Sequence, residues 1–218
     1  LGEGNTSEAL KYFKNAIKFQ GEVSIYHLYM AIANEANASY GEALEEADKA
    51  VELDGELALA RLVRGRLLVR MGAMKDGTAD LLKALELKPD LSDAYAPLGT
   101  AAESLRQWPE AIEYYRKAIV ADPGNGEVLM SLALLLIDRN EDQEARGLMQ
   151  KAVDLGRKMD PGPKWFFTAL YYLGISLEEA GNKDGAKALY KEYMDTAPLQ
   201  AIDRTDVEKR YGKLLKGY

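Results

Sequence analysis

The sequence predicts an all-α chain, a solenoid of helix–turn–helix repeats that ends in a capping helix. Two observations carry the prediction. Small residues recur at one interval: Ala9, Ala43, Gly77, Ala111 and Ala145 form one series, Ala16, Ala50, Ala84, Ala118 and Ala152 another, each member 34 residues after the last. Within residues 92–125 that interval resolves into two amphipathic stretches parted by turn chemistry. Tyr95, Leu98, Gly99 and Ala102 are spaced three, one and three apart and share one helical stripe, and Ala111, Tyr115 and Ala118 make the matching stripe of a second helix. Gly99 has no side chain where the second helix crosses, so the two backbones are expected to approach closely, although glycine in a helix interior costs about 1 kcal/mol relative to alanine. Pro123 cannot continue the second helix, and Gly124-Asn125 turns the chain toward the next one.

In chain order, residues 1–21 read as the second helix of a unit whose first helix lies upstream, with Ala9, Phe13 and Ala16 inward. The chain is therefore expected to be a fragment of a longer protein with more repeats before it. Repeats follow at 24–57, 58–91, 92–125, 126–159 and 164–199, all within one solenoid domain spanning 1–218. The repeat at 24 is degenerate, with His27 at the aromatic place, Ala31 at the glycine place and Ala43, Ala47 and Ala50 down its second helix. The next keeps Gly65, Gly72, Leu81, Ala84 and Pro89 but has Gly77 in the alanine series. The fourth holds the register with Leu129, Leu132, Ala133, Leu136, Ala145, Met149 and Ala152. After Ala152 the spacing breaks, since Ala186 follows Ala145 by 41 residues. Seven inserted residues make close to two helical turns, about 10 Å of rise, so longer helices on either side of Asp160-Pro161-Gly162-Pro163 would keep the same faces inward. Pro163 suits the first position of the new helix. The last repeat carries Leu170, Leu173, Gly174, Leu177, Gly181, Ala186, Tyr190 and Pro198, with Tyr193 thickening the packing against the next element of the chain. Residues 203–217 then align Val207, Tyr211, Leu214 and Leu215 on one stripe of a helix that covers the end of the stack.

On Tyr95, Leu98, Gly99, Ala102, Ala111, Tyr115, Ala118 and Pro123 the chain resembles the tetratricopeptide repeat, a helical pair of about 34 residues. Ala102 is smaller than usual at its place. The resemblance implies a right-handed superhelix whose first helices line a concave surface that receives peptides or helices of partner proteins. It places Ile25, Leu28, Tyr29, Ile32, Leu62, Val63, Arg66, Val69, Arg70, Ala96, Thr100, Glu103, Met130, Leu134, Ile137, Tyr171, Tyr172 and Ile175 toward that side. All except Val69, Ala96 and Glu103 are candidate partner-binding residues. Two accounts compete for their apolar character, a groove for an apolar segment or packing between neighbouring first helices. Arg66 and Arg70, one turn apart, either offer a carboxylate contact or form a solvated like-charged pair. In the chaperone-binding subset, Lys and Asn on first helices clamp a terminal carboxylate. The corresponding places here carry Leu28, Ile32, Leu62, Arg66, Ala96, Thr100, Met130 and Leu134, so that clamp is absent and a chaperone tail is not an expected ligand. Lys164-Trp165-Phe166-Phe167 with Tyr171 and Tyr172 is the densest aromatic group, either a binding hot spot or extra core for a lengthened helix.

Composition excludes other classes. A net charge of −7 and a pI near 5.0, with no lysine–arginine cluster standing out, argue against nucleic acid. No apolar run approaches the roughly 18 residues of a membrane span, residues 128–137 being about half that. The absence of cysteine removes disulfides, thiolate nucleophiles and cysteine-bound zinc. A cytoplasmic location is expected, with the periplasm as the alternative. His27 is the only histidine and reads as a core substitution rather than a base. Adjacent acids such as Glu45-Glu46 and Glu178-Glu179 point to different sides of a helix. Asp138, Asn140, Glu141 and Asp142 form an acidic helix turn without the central glycine of a calcium loop. The expectation is a non-catalytic scaffold with no cofactor and no metal. It would bind a protein segment, as part of an assembly such as secretion, pilus, motility or envelope machinery. Self-association, or service as the recognition arm of a larger enzyme or regulator, are the rivals.

Overall fold

The computed structural model describes residues 3–20, 22–201 and 203–216. The ends expected at residues 1, 21 and 217 and the side chain of Ala9 lie outside the described residues. Among those described there are twelve α-helices and no strand. They are α1 Glu3–Gln20, α2 Ser24–Ala36, α3 Tyr40–Leu53, α4 Ala58–Arg70, α5 Met74–Leu87, α6 Tyr95–Ser104 (preceded by a 3-10 turn at Ser92–Ala94), α7 Trp108–Ala121, α8 Gly126–Ile137, α9 Asp142–Gly156, α10 Lys164–Glu179, α11 Lys183–Thr196 and α12 Arg204–Leu215. From α2 to α11 they pair as first and second helices of the five expected repeats. The chain forms two compact units, one up to Ala121 with α1 to α7 and one from Asp122 onward with α8 to α12.

Inside each repeat the turn between helices is the same device. Ala38, Gly72, Arg106, Asn140 and Gly181 occupy one register place and all have positive φ, between 58° and 91°. A backbone bond closes each turn, from the N–H after that residue to a carbonyl five residues back: Ser39 to Asn34, Ala73 to Leu68, Gln107 to Ala102, Glu141 to Leu136 and Asn182 to Leu177, at 2.8–2.9 Å. This is a left-handed helix cap that satisfies otherwise orphaned carbonyls. Glycine adopts it freely at 72 and 181, whereas Ala38 and Arg106 hold it against the Cβ penalty. The acidic helix turn expected at Asp138, Asn140, Glu141 and Asp142 is corrected by the same geometry. α8 ends at Ile137 and α9 starts at Asp142, so Asp138, Asn140 and Glu141 build the inter-helix turn and only Asp142 is helical.

The crossing of each pair is set by two complementary side chains. Where the first helix has glycine the second brings a large residue, Leu81 against Gly65, Tyr115 against Gly99 and Tyr190 against Gly174. Where it has alanine, at Ala31 and Ala133, the partners are Ala47 and Met149. A Cβ on Gly99 would stand 2.5 Å from Tyr115 Cδ1. Gly99 thus makes room for a ring, which refines the expectation of close backbones. Backbones do approach closely in the second repeat, where a Cβ on Gly65 would meet the Gly77 carbonyl at 2.9 Å and a Cβ on Gly77 the Gly65 carbonyl at 2.8 Å. The departure of Gly77 from the alanine series follows from that contact. Tyr115 and Tyr190 each donate the ring hydroxyl to an acid one turn beyond their glycine, Tyr115 to Glu103 at 2.6 Å and Tyr190 to Glu178 at 2.8 Å.

The seven-residue insertion is divided three ways. α9 is one residue longer than α3, α5 and α7. The connection 157–163 is three longer than 54–57 or 88–91, and α10 starts three residues ahead of Phe167, the register equivalent of Gly126. Pro163 is the N-cap and Lys164 the first helical residue, one place on from the expectation. Of the aromatic group, Trp165, Phe166 and Phe167 sit at this extension and are absorbed by it, while Tyr172 stays partly exposed. Phe166 is buried against Gly156, Trp165 lies over Gly126, where a Cβ would come within 2.5 Å of its ring, and Phe167 meets Tyr193 edge-on at 6.3 Å.

Candidate functional site

Each first helix presents its core stripe to its own second helix and leaves a narrow strip on the opposite side, and the candidate residues divide between the two. In the first unit Leu28, Leu62 and Val63 are buried, and in the second Met130 is. Stacking of neighbouring helices takes these four, which corrects their assignment to a partner-binding wall. Ile25 and Ile32 are half-buried against the core of α2, α3 and α4. Tyr29 is 47% exposed and stacks on Phe13 at 5.4 Å. Thr100 is exposed and donates to the Ala96 carbonyl at 3.2 Å. In the second unit Leu134 and Ile137 of α8 and Tyr172 and Ile175 of α10 are half-buried, beside the fully buried Leu132, Leu136, Leu170 and Leu173. Tyr171 is half-buried, meets Tyr172 edge-on at 5.0 Å and donates to Asp206 of α12 at 3.0 Å, so the terminal helix already holds its hydroxyl.

The electrostatics of the first unit centre on α4, whose four arginines in ten residues contradict the expectation that no basic cluster exists. Arg66 forms a two-point ion pair with Glu35 of α2, so it is not the solvated partner of Arg70. Arg70 lies 5.0 Å over the Tyr40 ring and reaches its hydroxyl at 3.5 Å. Arg61 and Arg64 converge on Asp80, a residue only 4% exposed. Arg61 Nη1 donates at 2.9 Å, Arg64 Nε at 2.5 Å and Arg64 Nη2 at 2.8 Å. Hydrogen bonding to Asp80 raises the Arg64 pKa against the opposing effect of burial. His27 repeats this arrangement one repeat earlier. It is 3% exposed, its Nδ1 lies 2.6 Å from Glu46, and its buried Nε2 has no hydrogen-bond partner. The pairs His27–Glu46 and Arg61–Asp80 occupy one register, which holds Tyr95 with Tyr114, Leu129 with Leu148 and Leu170 with Leu189 in the other repeats. The sequence carries the signal, since a polar residue at the aromatic place is answered by an acid 19 residues later in both repeats.

Two models of the tetratricopeptide repeat match the chain, over residues 96–161 and 168–199. They agree in register with the helix pairs of the structure. The chain is a tetratricopeptide-repeat protein. It is 28% identical over 139 residues to Hsp70-Hsp90 organizing protein 1 of Glycine max, a match covering 59% of this chain and 24% of that protein. The chain thus spans about a quarter of the length of the curated relatives it matches first. Among solved structures, the Pseudomonas aeruginosa pilF protein superposes with a TM-score of 0.76 at 19% identity, covering 99% of this chain and 91% of that one. YrrB, a TPR protein with an unusual peptide-binding site, superposes with a TM-score of 0.66 at 22% identity, covering 89% and 97%. At these identities the superpositions show the fold.

The tetratricopeptide fold is typically an interaction scaffold. At the chaperone-clamp places, Leu28, Leu62 and Met130 are buried and Arg66 is taken by Glu35. Among the described residues, no group of three or more acids or histidines is placed to hold a metal ion, and no helix is long and apolar enough to cross a membrane. The terminal helix is fixed by a polar network. Arg210 donates to Asp206 at 2.6 Å and to Glu178 at 3.1 Å, and Arg204 donates to the Ala197 and Met194 carbonyls at the end of α11. The Arg210 bond lowers the Asp206 pKa, burial raises that of Asp203, and burial followed by the bond to Asp206 pushes Tyr171 up to about 12. Val207 and Leu214 are buried beneath this network, as a cap requires.

Proposed function

We propose that the chain is a non-catalytic scaffold that holds an extended or helical segment of a protein partner, as part of a multiprotein assembly. The apolar strip of the second unit, Leu134, Ile137, Tyr172 and Ile175, forms the centre of the contact. The observation that supports this is the partial exposure of four large apolar side chains on adjacent first helices whose stripe-mates are fully buried. Burying such a side chain is worth about 1.5–3 kcal/mol, and several together outweigh the cost of association enough for micromolar binding. The test uses the full chain as bait in crosslinking and co-purification to name a partner, followed by Leu134→Glu and Tyr172→Glu. A charge placed in a contact that excludes water is costly, so capture of that partner should be lost while helix content by circular dichroism stays unchanged. Undiminished capture removes the strip from consideration. Loss of helix content assigns these side chains to packing instead.

A further inference from the structure

The terminal helix does more than close the stack, because it stands in the register of a first helix. Val207 lies 34 residues after Leu173, and both are fully buried. α12 is also tied to α10 laterally, since Arg210 donates to Glu178 at 3.1 Å from one place beyond the register position of Arg66. In the register set by Val207 the place that Ile175 holds in α10 falls on Lys209 in α12, and that of Glu179 on Lys213. Lys209, Lys213 and Lys216 are four and three residues apart, so they share one stripe. All three are exposed, and among the described residues none of them forms a contact ion pair, Lys209 acting on Asp206 only as a longer-range charge. The apolar strip of α8 and α10 thus runs onto an exposed row of lysines without contact ion pairs, in a chain whose net charge is −7.

Resting on the function proposed above, we infer that this lysine row is the anion-binding end of the same docking surface. Its ligand is an extended peptide carrying apolar residues followed by Asp or Glu. Charge complementarity selects that ligand, since a chain this acidic repels carboxylates except where cations are left unpaired. Packed helices lie about 8–10 Å apart and an extended chain rises about 3.3 Å per residue. The acids therefore stand about three residues from the side chain that covers Ile175.

The test measures fluorescence anisotropy of labelled synthetic peptides with the full chain. One peptide has two leucines followed at that spacing by three glutamates, a second has glutamines in place of the glutamates, and a twelve-residue oligothymidylate serves as a different polyanion. The acidic peptide should bind about tenfold more tightly than the glutamine peptide at low salt. That advantage should vanish in Lys209→Glu/Lys213→Glu and at about 0.5 M salt, and persist in Lys209→Arg/Lys213→Arg. Circular dichroism confirms that each variant is folded. Equal binding of the two peptides, abolished by Ile175→Glu, overturns the lysine assignment and leaves the apolar strip standing. Binding of neither peptide overturns both readings. Oligothymidylate binding as tightly as the acidic peptide overturns the choice of a peptide ligand.

Discussion

Removing the Asp80 carboxylate leaves two guanidinium groups facing a space that excludes most water, and the cost follows from the geometry. Asp80 accepts three charge-assisted bonds, at 2.9, 2.5 and 2.8 Å, while 4% exposed. Breaking a buried pair by deleting one partner costs about 3–5 kcal/mol. The side chains of Arg61 and Arg64 are 21% and 22% exposed, and they keep the Gly55 carbonyl at 2.6 Å and Asp48 at 3.4 Å. Asp80→Ala therefore falls at the lower end, about 3 kcal/mol. Trp108 belongs to the first unit and Trp165 to the second, so urea unfolding followed by Trp108 fluorescence in a Trp165→Phe background reads the first unit. The midpoint should fall by about 1.5–2 M if m is about 1.5–2 kcal/mol/M. The reasoning also says that the damage comes from orphaned charge and not from a lost contact. Arg61→Leu/Arg64→Leu/Asp80→Leu recreates the trio Leu129, Leu132 and Leu148 of the fourth repeat, repeated as Leu170, Leu173 and Leu189 in the fifth. It should match or exceed the parent chain. Asp80→Ala within about 0.5 kcal/mol of the parent, or a triple variant as weak as Asp80→Ala, would refute the account.

Three further outcomes rest on the repeat geometry. Arg106 holds φ at 60°, so Arg106→Gly should raise stability in thermal melts by about 1 kcal/mol, the left-handed penalty less the entropy of glycine. Gly99→Ala drives a methyl group into Tyr115 and should lose about 1–2 kcal/mol, overpacking partly offset by helix propensity. Adding Tyr115→Met, which copies Ala133 with Met149, should recover at least part of it. The attachment of α12, followed by hydrogen exchange of its amides, should depend on pH at both extremes. Because the Asp206 pKa is lowered, its contribution is present above the ordinary carboxylate range and is lost as pH falls through the lowered value. Asp203, with its pKa raised by burial, opposes that loss. Tyr171 contributes below about pH 10 and its share is lost as pH rises through about 12. Asp206→Asn and Tyr171→Phe should flatten the acid and alkaline limbs respectively.

The repeat architecture was legible because each of its causes is local. A small residue at every crossing, a turn every 34 residues and a stop after each second helix leave marks at fixed intervals. The positive-φ residue at one place in every turn was legible only at Gly72 and Gly181. At Ala38, Arg106 and Asn140 the closing backbone bond imposes the conformation on residues that do not advertise it. Charge pairing was hidden differently. Glu35 and Arg66 stand 31 residues apart, close to one repeat, so neither belongs to a local pattern, and the link appears only when neighbouring first helices are set side by side.

The candidate wall failed in part for a reason that also tells which part survives. Within each unit a first helix touches its own second helix, any preceding second helix and the adjacent first helix, so apolar residues on most of its circumference are consumed by packing and periodicity cannot rank them. Leu28, Leu62 and Met130 share one place in the register, and all three are buried. Ile32, Leu134 and Ile175 share the place one turn further on, and all three are left half-buried. The surviving strip keeps that place at Leu134 and Ile175 and adds Ile137 and Tyr172 from two others. In the first unit that position is interrupted by Arg66, already neutralised by Glu35. In the second it runs from Leu134 through Ile175 to Lys209 without an ion pair at any of the three. Under the function proposed above, a row that changes from apolar to basic within one unit selects a ligand with the same order of chemistry, so the second unit is where the proposal places the reading of a partner's sequence.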